Sequence, residues 1–101
     1  MTKNSFAIKV YQQSGEILVA ACDEELLGKK FEDGELQLEV HTSFYDGFRV
    51  DERGLVQQLQ NSTMANLVGE QVINCVINAG IVTKDCIIRI QNIPHAQIFR
   101  M

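Results

Sequence analysis

The sequence contains few of the residues that form disulfide bonds or metal sites in a small protein. It has one proline and no tryptophan, and its three cysteines, Cys22, Cys75 and Cys86, form an odd set without a close pair. Such a set is typical of reduced thiols in a reducing compartment and excludes a complete disulfide framework. Together with His41 and His95 the cysteines lack the local spacings of zinc sites, so we expect neither a metal nor another cofactor.

Long apolar runs and excess positive charge are also missing. No run approaches the roughly 20 residues that cross a bilayer, and residues 1–5 lack the apolar segment of a signal peptide. We therefore expect a cytoplasmic protein without a membrane partner. Nine Lys and Arg stand against thirteen Asp and Glu, a net charge of −4, which argues against binding held mainly by nucleic-acid phosphates. No DNA partner is expected.

What remains is the composition of an ordinary globular protein. Its 101 residues are 46% hydrophobic and 22% charged. A chain of this length forms one domain and buries enough surface to fold without disulfide bonds or bound metals. Residues 1–101 are therefore interpreted as a single globular domain.

The most informative segment covers residues 63–80, where an extended stretch passes through Gly69 into a helix. Four polar residues of this helix fall on one narrow stripe at 3.6 residues per turn: Glu70, Gln71, Asn74 and Asn78. The rest of its surface is apolar, which predicts a buried core helix ending at Gly80. A single glycine followed by an acidic residue does not favour phosphate binding at the helix start.

Other patterns predict strands at residues 6–10, 16–22, 36–40, 86–90 and 98–101, the first two as a hairpin. Residues 51–61 show the apolar stripe of an amphipathic surface helix capped by Asp51, although Gly54 weakens it. Asp23 is an N-cap candidate for a short helix that Glu24 and Glu25 begin, and residues 41–47 are predicted as a loop. The expected fold is α+β (mixed α/β): a mostly antiparallel sheet with one buried core helix and one surface helix.

Three segments resemble a known family. Residues 21–29 (ACDEELLGK), 65–70 (ANLVGE) and 94–97 (PHAQ) are similar, in order and spacing, to the small archaeal proteins grouped as domain of unknown function 424. The resemblance covers nearly the whole chain. It implies an archaeal, cytosolic, single-domain protein and carries over no catalytic role.

Four polar residues in these segments have weak structural explanations. If the final segment pairs beside the one containing Asn66, then Asn66, Glu70, His95 and Gln97 converge on one candidate binding pocket. Polar residues at a helix start and a proline turn more often satisfy backbone groups. Secondary candidates are Asp23, interpreted first as a cap, Lys29 of the only adjacent basic pair, and Tyr45, which is either a core residue or an exposed contact.

Three functions are consistent with these features. The leading hypothesis is a non-enzymatic binding module, an RNA- or translation-associated accessory whose partner would be the ribosome or RNA. A basic face around Lys29, Lys30 and Arg49 would favour it. The first alternative is a small hydrolase or transferase that uses His95 with Glu70, since a carboxylate can orient an imidazole base. The second is a structural homo-oligomer joined at exposed sheet ends.

Overall fold

A computed structural model describes residues 5–99 of the chain, and a six-stranded sheet forms its centre. The sheet has the strand order β5-β1-β2-β6-β8-β7, and a separate two-stranded sheet joins β3 to β4. In chain order the strands are β1 (Phe6–Gln13), β2 (Glu16–Asp23), β3 (Lys30–Asp33), β4 (Leu36–Glu39), β5 (Phe48–Val50), β6 (Met64–Val68), β7 (Ile88–Ile90) and β8 (Ile93–Phe99).

Three α-helices and two single turns of 3₁₀ helix connect these strands. The helices are α1 (Thr42–Tyr45), α2 (Glu52–Gln60) and α3 (Glu70–Asn78), and the 3₁₀ turns are Glu24–Leu26 and Lys84–Cys86. No helix within residues 5–99 has the length and apolar character needed to cross a membrane.

The sheet is antiparallel except at one pair, β2 with β6. Its two hairpins turn through residues with positive φ, Ser14 and Gly15 between β1 and β2, and Gln91 and Asn92 between β7 and β8. Two successive positive-φ residues give a turn whose twist matches that of the flanking strands. The fold class is therefore confirmed as α+β with a mostly antiparallel sheet.

Each face of the sheet is covered by a different layer. Helices α2 and α3 pack on one face, which we call the helix face, where Leu55, Leu59 and Val76 join the alternate strand residues of the main core. The β3–β4 hairpin and α1 pack on the opposite, hairpin face, where Leu38, Val40 and Tyr45 close a second core. Because side chains alternate along a strand, every central strand contributes to both cores.

Helix α3 has the predicted polar stripe. Glu70, Gln71, Asn74 and Asn78 are all exposed, whereas Val72, Ile73, Cys75 and Val76 are buried. Beyond the helix, Gly80 adopts φ +76 and the amide of Ile81 donates to the carbonyl of Val76. This left-handed closure satisfies the last carbonyls and confirms Gly80 as the stop signal.

Helix α2 is also confirmed, and the structure accounts for its glycine. The Asp51 carboxylate accepts a hydrogen bond from the amide of Gly54 at 2.8 Å, as a capping residue does. A Cβ at Gly54 would lie 3.0 Å from the Cβ of Val50. Glycine therefore costs helix propensity here but allows the preceding strand to approach closely.

Several shorter elements differ from the sequence-based expectation. The expected terminal strand begins at Ile93 rather than residue 98 and runs through Pro94, while its residues 100–101 lie outside the described part of the chain. β7 begins at Ile88, because residues 84–86 form a 3₁₀ turn. Residues 42–45 form a helical turn rather than a loop, and β3 and β5 were not predicted. Elements of three or four residues depend on their pairing partners more than on local pattern.

Candidate functional site

The candidate pocket residues lie on two adjacent strands whose pairing is as hypothesised. In the antiparallel β6–β8 pair, Asn66 is opposite Gln97 and Val68 is opposite His95. Ala65, Leu67, Ala96 and Ile98 point into the helix-side core. By alternation, Asn66, His95 and Gln97 therefore share the hairpin face of the sheet.

This part of the hairpin face is incompletely covered. Gln97 is exposed, Asn66 and His95 are half-buried, and the neighbouring Phe99, which is opposite Met64, is 69% exposed. We call the surface formed by Met64, Asn66, His95, Gln97 and Phe99 the open face. It is the part of the sheet that α1 and the β3–β4 hairpin leave accessible.

The polar side chains of the open face have no hydrogen-bond partners among residues 5–99. The side-chain bonds of the described residues involve neither the amides of Asn66 and Gln97 nor the imidazole of His95. These groups do not cap a helix or satisfy a turn. Because they bond no backbone group of residues 5–99, they remain available to a ligand.

Glu70 lies away from the other three residues. Its carboxylate accepts a hydrogen bond of 2.7 Å from the guanidinium of Arg89, which also donates to the carbonyl of Asn92. Arg89 is opposite Pro94 in the β7–β8 pair, and Pro94 alternates with His95. Glu70 and Arg89 are therefore on the helix face, and the structure does not bring Glu70 to the imidazole.

The electrostatics of His95 follow from its half-buried position between two apolar residues. Its cross-strand partners are Val68 and Ile88. Burial lowers the pKa of His95 from its ordinary value of 6.5, because the charged form loses solvation. The ring is therefore neutral at pH 7, with one nitrogen that donates and one that accepts a hydrogen bond.

The open face ends beside Leu18, which is opposite Met64 in the β2–β6 pair. Two aromatic residues, Tyr11 and Phe44, lie beyond it. The ring of Tyr11 stacks on Phe44 with centroids 5.3 Å apart, and its hydroxyl donates to the carbonyl of Phe44 at 2.7 Å. Tyr11, Leu18 and Met64 line a groove of about 360 Å³. Sequence reasoning did not select Tyr11 or Phe99 as candidate site residues, and the signal for both was the alternation along β1 and β8.

Asp23 is a cap, but of a different helix from the one expected. Its side chain makes no capping bond to the 3₁₀ turn that follows it. Instead its carboxylate accepts hydrogen bonds from the amides of Gln71 at 3.0 Å and Val72 at 2.8 Å, at the start of α3. The carboxylate thus occupies the helix terminus at which a phosphate would have to bind.

The other secondary candidates do not join the open face. Tyr45 is a core residue, 5% exposed, and burial raises the pKa of its hydroxyl to about 12. Lys29 is exposed, and the carboxylate of Glu32 lies 3.5 Å from the ammonium of its neighbour Lys30. Arg49 forms ion pairs with both Glu24 and Asp46. The three cations therefore do not form an unneutralised basic face.

The buried thiol of Cys22 and the distribution of metal-ligand residues are the remaining chemical features of residues 5–99. Burial raises the pKa of Cys22 to about 12, with a further rise from the charge of Asp23, so the thiol is protonated rather than activated by the turn that follows it. Among the same residues, no three His, Cys, Asp or Glu side chains are grouped as a metal site.

These features define a small α+β domain with a polar, partly open sheet face. The chain belongs to the family described as protein of unknown function (DUF424), whose model matches residues 11–101.

The fold is shared with a solved structure. It is similar to the crystal structure of an uncharacterized conserved protein from Methanopyrus kandleri, with 22% sequence identity and a TM-score of 0.78 over 96% of this chain and 94% of that one. At this identity the likeness shows the fold alone. A comparison with curated proteins finds no match.

Proposed function

We propose that the protein is a non-enzymatic, cytoplasmic binding module that holds an unpaired RNA segment on its open face, as an accessory of the translation machinery. The observation that carries the proposal is the cross-strand pair Asn66–Gln97, whose amides lack partners within residues 5–99. Side-chain amides present a donor and an acceptor together, which matches the edges of unpaired bases.

His95 and Phe99 extend this surface along the same strand. The neutral imidazole adds one donor and one acceptor, since burial lowers the pKa of His95. The exposed ring of Phe99 offers a flat apolar surface, and stacking of a base on an aromatic side chain contributes about 1–3 kcal/mol. Amides beside an exposed aromatic ring on a sheet are the elements with which sheet-based modules bind single-stranded RNA.

The charge distribution determines which kind of RNA contact we expect. The net charge is −4, and Arg49 is neutralised by two carboxylates. Lys9 is opposite Ala20 in the β1–β2 pair, and Ala20 is opposite Asn66 in the β2–β6 pair, so Lys9 and Asn66 share the hairpin face. The ammonium of Lys9 donates a hydrogen bond to the carbonyl of Ser43. Binding should therefore depend on base contacts and stacking, with about one phosphate contact and a shallow salt dependence.

The two residues of the enzyme alternative, His95 and Glu70, are on opposite faces of the sheet. The carboxylate that was to orient His95 belongs to Glu70, which bonds Arg89 on the helix face. Since a general base needs its partner within hydrogen-bond reach, the pair lacks the required geometry.

The direct test is fluorescence anisotropy with short labelled single-stranded RNA homopolymers and a matched duplex. We expect single strands to bind more tightly than the duplex, and Asn66→Ala, Gln97→Ala and Phe99→Ala each to weaken binding about tenfold or more. Gln37→Ala is the matched control, because Gln37 is an exposed amide on β4. The absence of binding to every single strand, or equal loss in the control, would contradict the proposal.

The cellular part of the proposal is tested by sedimentation of the endogenous protein through a sucrose gradient of native lysate. We expect co-migration with ribosomal particles at low salt, with partial retention as salt is raised, and loss for Phe99→Ala. Recovery only at the top of the gradient at both salt concentrations would overturn a translation role while leaving the RNA-binding measurement intact.

A further inference from the structure

One edge of the central sheet has no partner strand within residues 5–99. β8 is the second-last strand, and its outer neighbour β7 pairs only with the segment from Ile93 to His95. The inner neighbour β6 continues to Phe99. Beyond His95, the outer edge of β8 is therefore unpaired in this part of the chain.

The backbone groups at this edge can be assigned from the ladder. The amide of Gly69 donates to the carbonyl of Pro94 at 2.9 Å, so the carbonyl of Pro94 points inward, toward β6. Backbone groups alternate in direction along an antiparallel strand. The amides and carbonyls of Gln97 and Phe99 therefore point outward, where only another strand can satisfy them in the geometry of a sheet.

On the hairpin face, the described side chains at this edge give none of the usual protection against pairing. Natural edge strands carry lysines, bulges or inward-pointing charges. On the hairpin face the side chains are Ile88, His95, Gln97 and Phe99, which are uncharged at pH 7, and Ile88 and Phe99 are 56% and 69% exposed. The one charged residue of β7, Arg89, is on the helix face and is paired with Glu70. At the opposite edge, the short β5 carries Arg49 with its two acidic partners.

We propose that this edge binds a second copy of the chain, β8 against β8 in antiparallel orientation across a two-fold axis, so that two six-stranded sheets become one. Identical strands related by a two-fold axis are self-complementary, because the outward amides of each copy face the outward carbonyls of the other copy. The described side chains of β8 beyond His95 carry no charge, and Arg89 on the neighbouring β7 is paired with Glu70, so these residues bring no like charges together despite the net charge of −4.

The pairing also explains the exposed apolar side chains. Residues opposite each other in an antiparallel pair point to the same face. Pairing of Gln97 with Phe99 of the second copy, or of Phe99 with its own counterpart, therefore places the two phenylalanines on one face within about 8 Å of each other. The open faces of the two copies then become continuous across the axis.

A charge-exchange experiment tests the interface. We expect sedimentation equilibrium to give the wild type twice the chain mass of 11.4 kDa. We expect Phe99→Lys and Phe99→Glu alone to weaken the dimer by more than about tenfold, because each brings like charges together. An equimolar mixture of the two variants should restore dimers and lose them at high salt.

The matched control is Leu36→Lys, which charges an exposed leucine, 54% accessible, on the β3–β4 hairpin. It should remain dimeric. A wild type that stays monomeric at every concentration, or a Phe99→Lys variant that dimerises as well as the wild type, would overturn the proposal.

The dimer does not depend on RNA binding, and the two can fail separately. Asn66 is on the strand inside β8, away from the edge. Asn66→Ala should therefore retain the dimer, and an RNA-binding defect in this variant concerns the proposed function alone.

Discussion

The carboxylate of Asp23 occupies the space that a side chain at position 69 would need, so only glycine fits there. A Cβ built on Gly69 would lie 2.6 and 2.7 Å from the two carboxylate oxygens of Asp23. Gly69 has φ +114 and ψ 152, a backbone region essentially restricted to glycine. Asp23 is 3% exposed and caps α3, so strand β2, the glycine and the core helix form one interdependent unit.

Removal of the Asp23 carboxylate should destabilise the protein. Asp23→Ala leaves the amides of Gln71 and Val72 without an acceptor, at about 1–3 kcal/mol for each buried group. Asp23→Asn should cost less, because its oxygen can still accept one bond. The measurement is urea unfolding. Glu24→Ala, which removes an exposed ion pair with Arg49, should change stability by at most about 1 kcal/mol, and an equal loss in both variants would contradict the capping role.

Substitution of Gly69 tests the close approach directly. We expect Gly69→Ala to lower the free energy of unfolding by about 2–5 kcal/mol, from backbone strain and the clash with Asp23. Gly15→Ala isolates the backbone part, because Gly15 has φ +83 and nothing within 4 Å of the added Cβ, so it should cost about 1–2 kcal/mol.

A double-mutant cycle separates the clash from the strain. In the Asp23→Ala background the carboxylate is gone, and the additional cost of Gly69→Ala should fall toward that of Gly15→Ala. Strict additivity of the two substitutions would show that they do not interact.

The buried carboxyl also gives a pH dependence of stability. Burial raises the pKa of Asp23, although the two amide bonds oppose part of the rise. The folded state therefore holds this proton more tightly than the unfolded chain. The resulting stability is fully present below the unfolded pKa, about 3.9, and is lost as pH rises through the folded-state pKa.

Wild type and Asp23→Asn should accordingly be compared by urea unfolding across this acidic range. The stability of the wild type relative to the variant should decrease as pH rises, because Asn cannot lose a proton. A relative stability that increases with pH would mean that the amide bonds outweigh burial.

Thiol labelling tests the assignment of the cysteines. In the native protein Cys86 is exposed, whereas Cys22 and Cys75 are buried and burial raises the pKa of both. We expect iodoacetamide to alkylate Cys86 alone under native conditions and all three thiols in urea, as measured by mass spectrometry. Cys86→Ser should abolish native labelling, and fast labelling of native Cys22 would contradict its burial.

The candidate site could be only partly predicted from sequence. Asn66, His95 and Gln97 were recognisable as polar residues in largely apolar segments, and their common face followed once β6 and β8 were assumed to pair. Glu70 was grouped with them because it is close in sequence, but a helix that begins after Gly69 carries it to the other face, where it bonds Arg89. Phe99 was not predicted, since the exposure of a terminal aromatic residue depends on which strands lie beside it.

The sequence by itself determined the elements whose cause is local. The polar stripe and Gly80 determine α3, and the Asp51 side chain and apolar periodicity determine α2. Two apolar segments joined by a short polar turn determine the first hairpin, although the structure extends β1 to Gln13 and shortens the turn to two residues. Only the tertiary structure decided the rest. Asp23 is followed by two glutamates, as a local cap often is, yet its carboxylate bonds amides 48 and 49 positions away. Strand register and remote capping depend on contacts between distant segments, and local propensity carries no information about which segments meet.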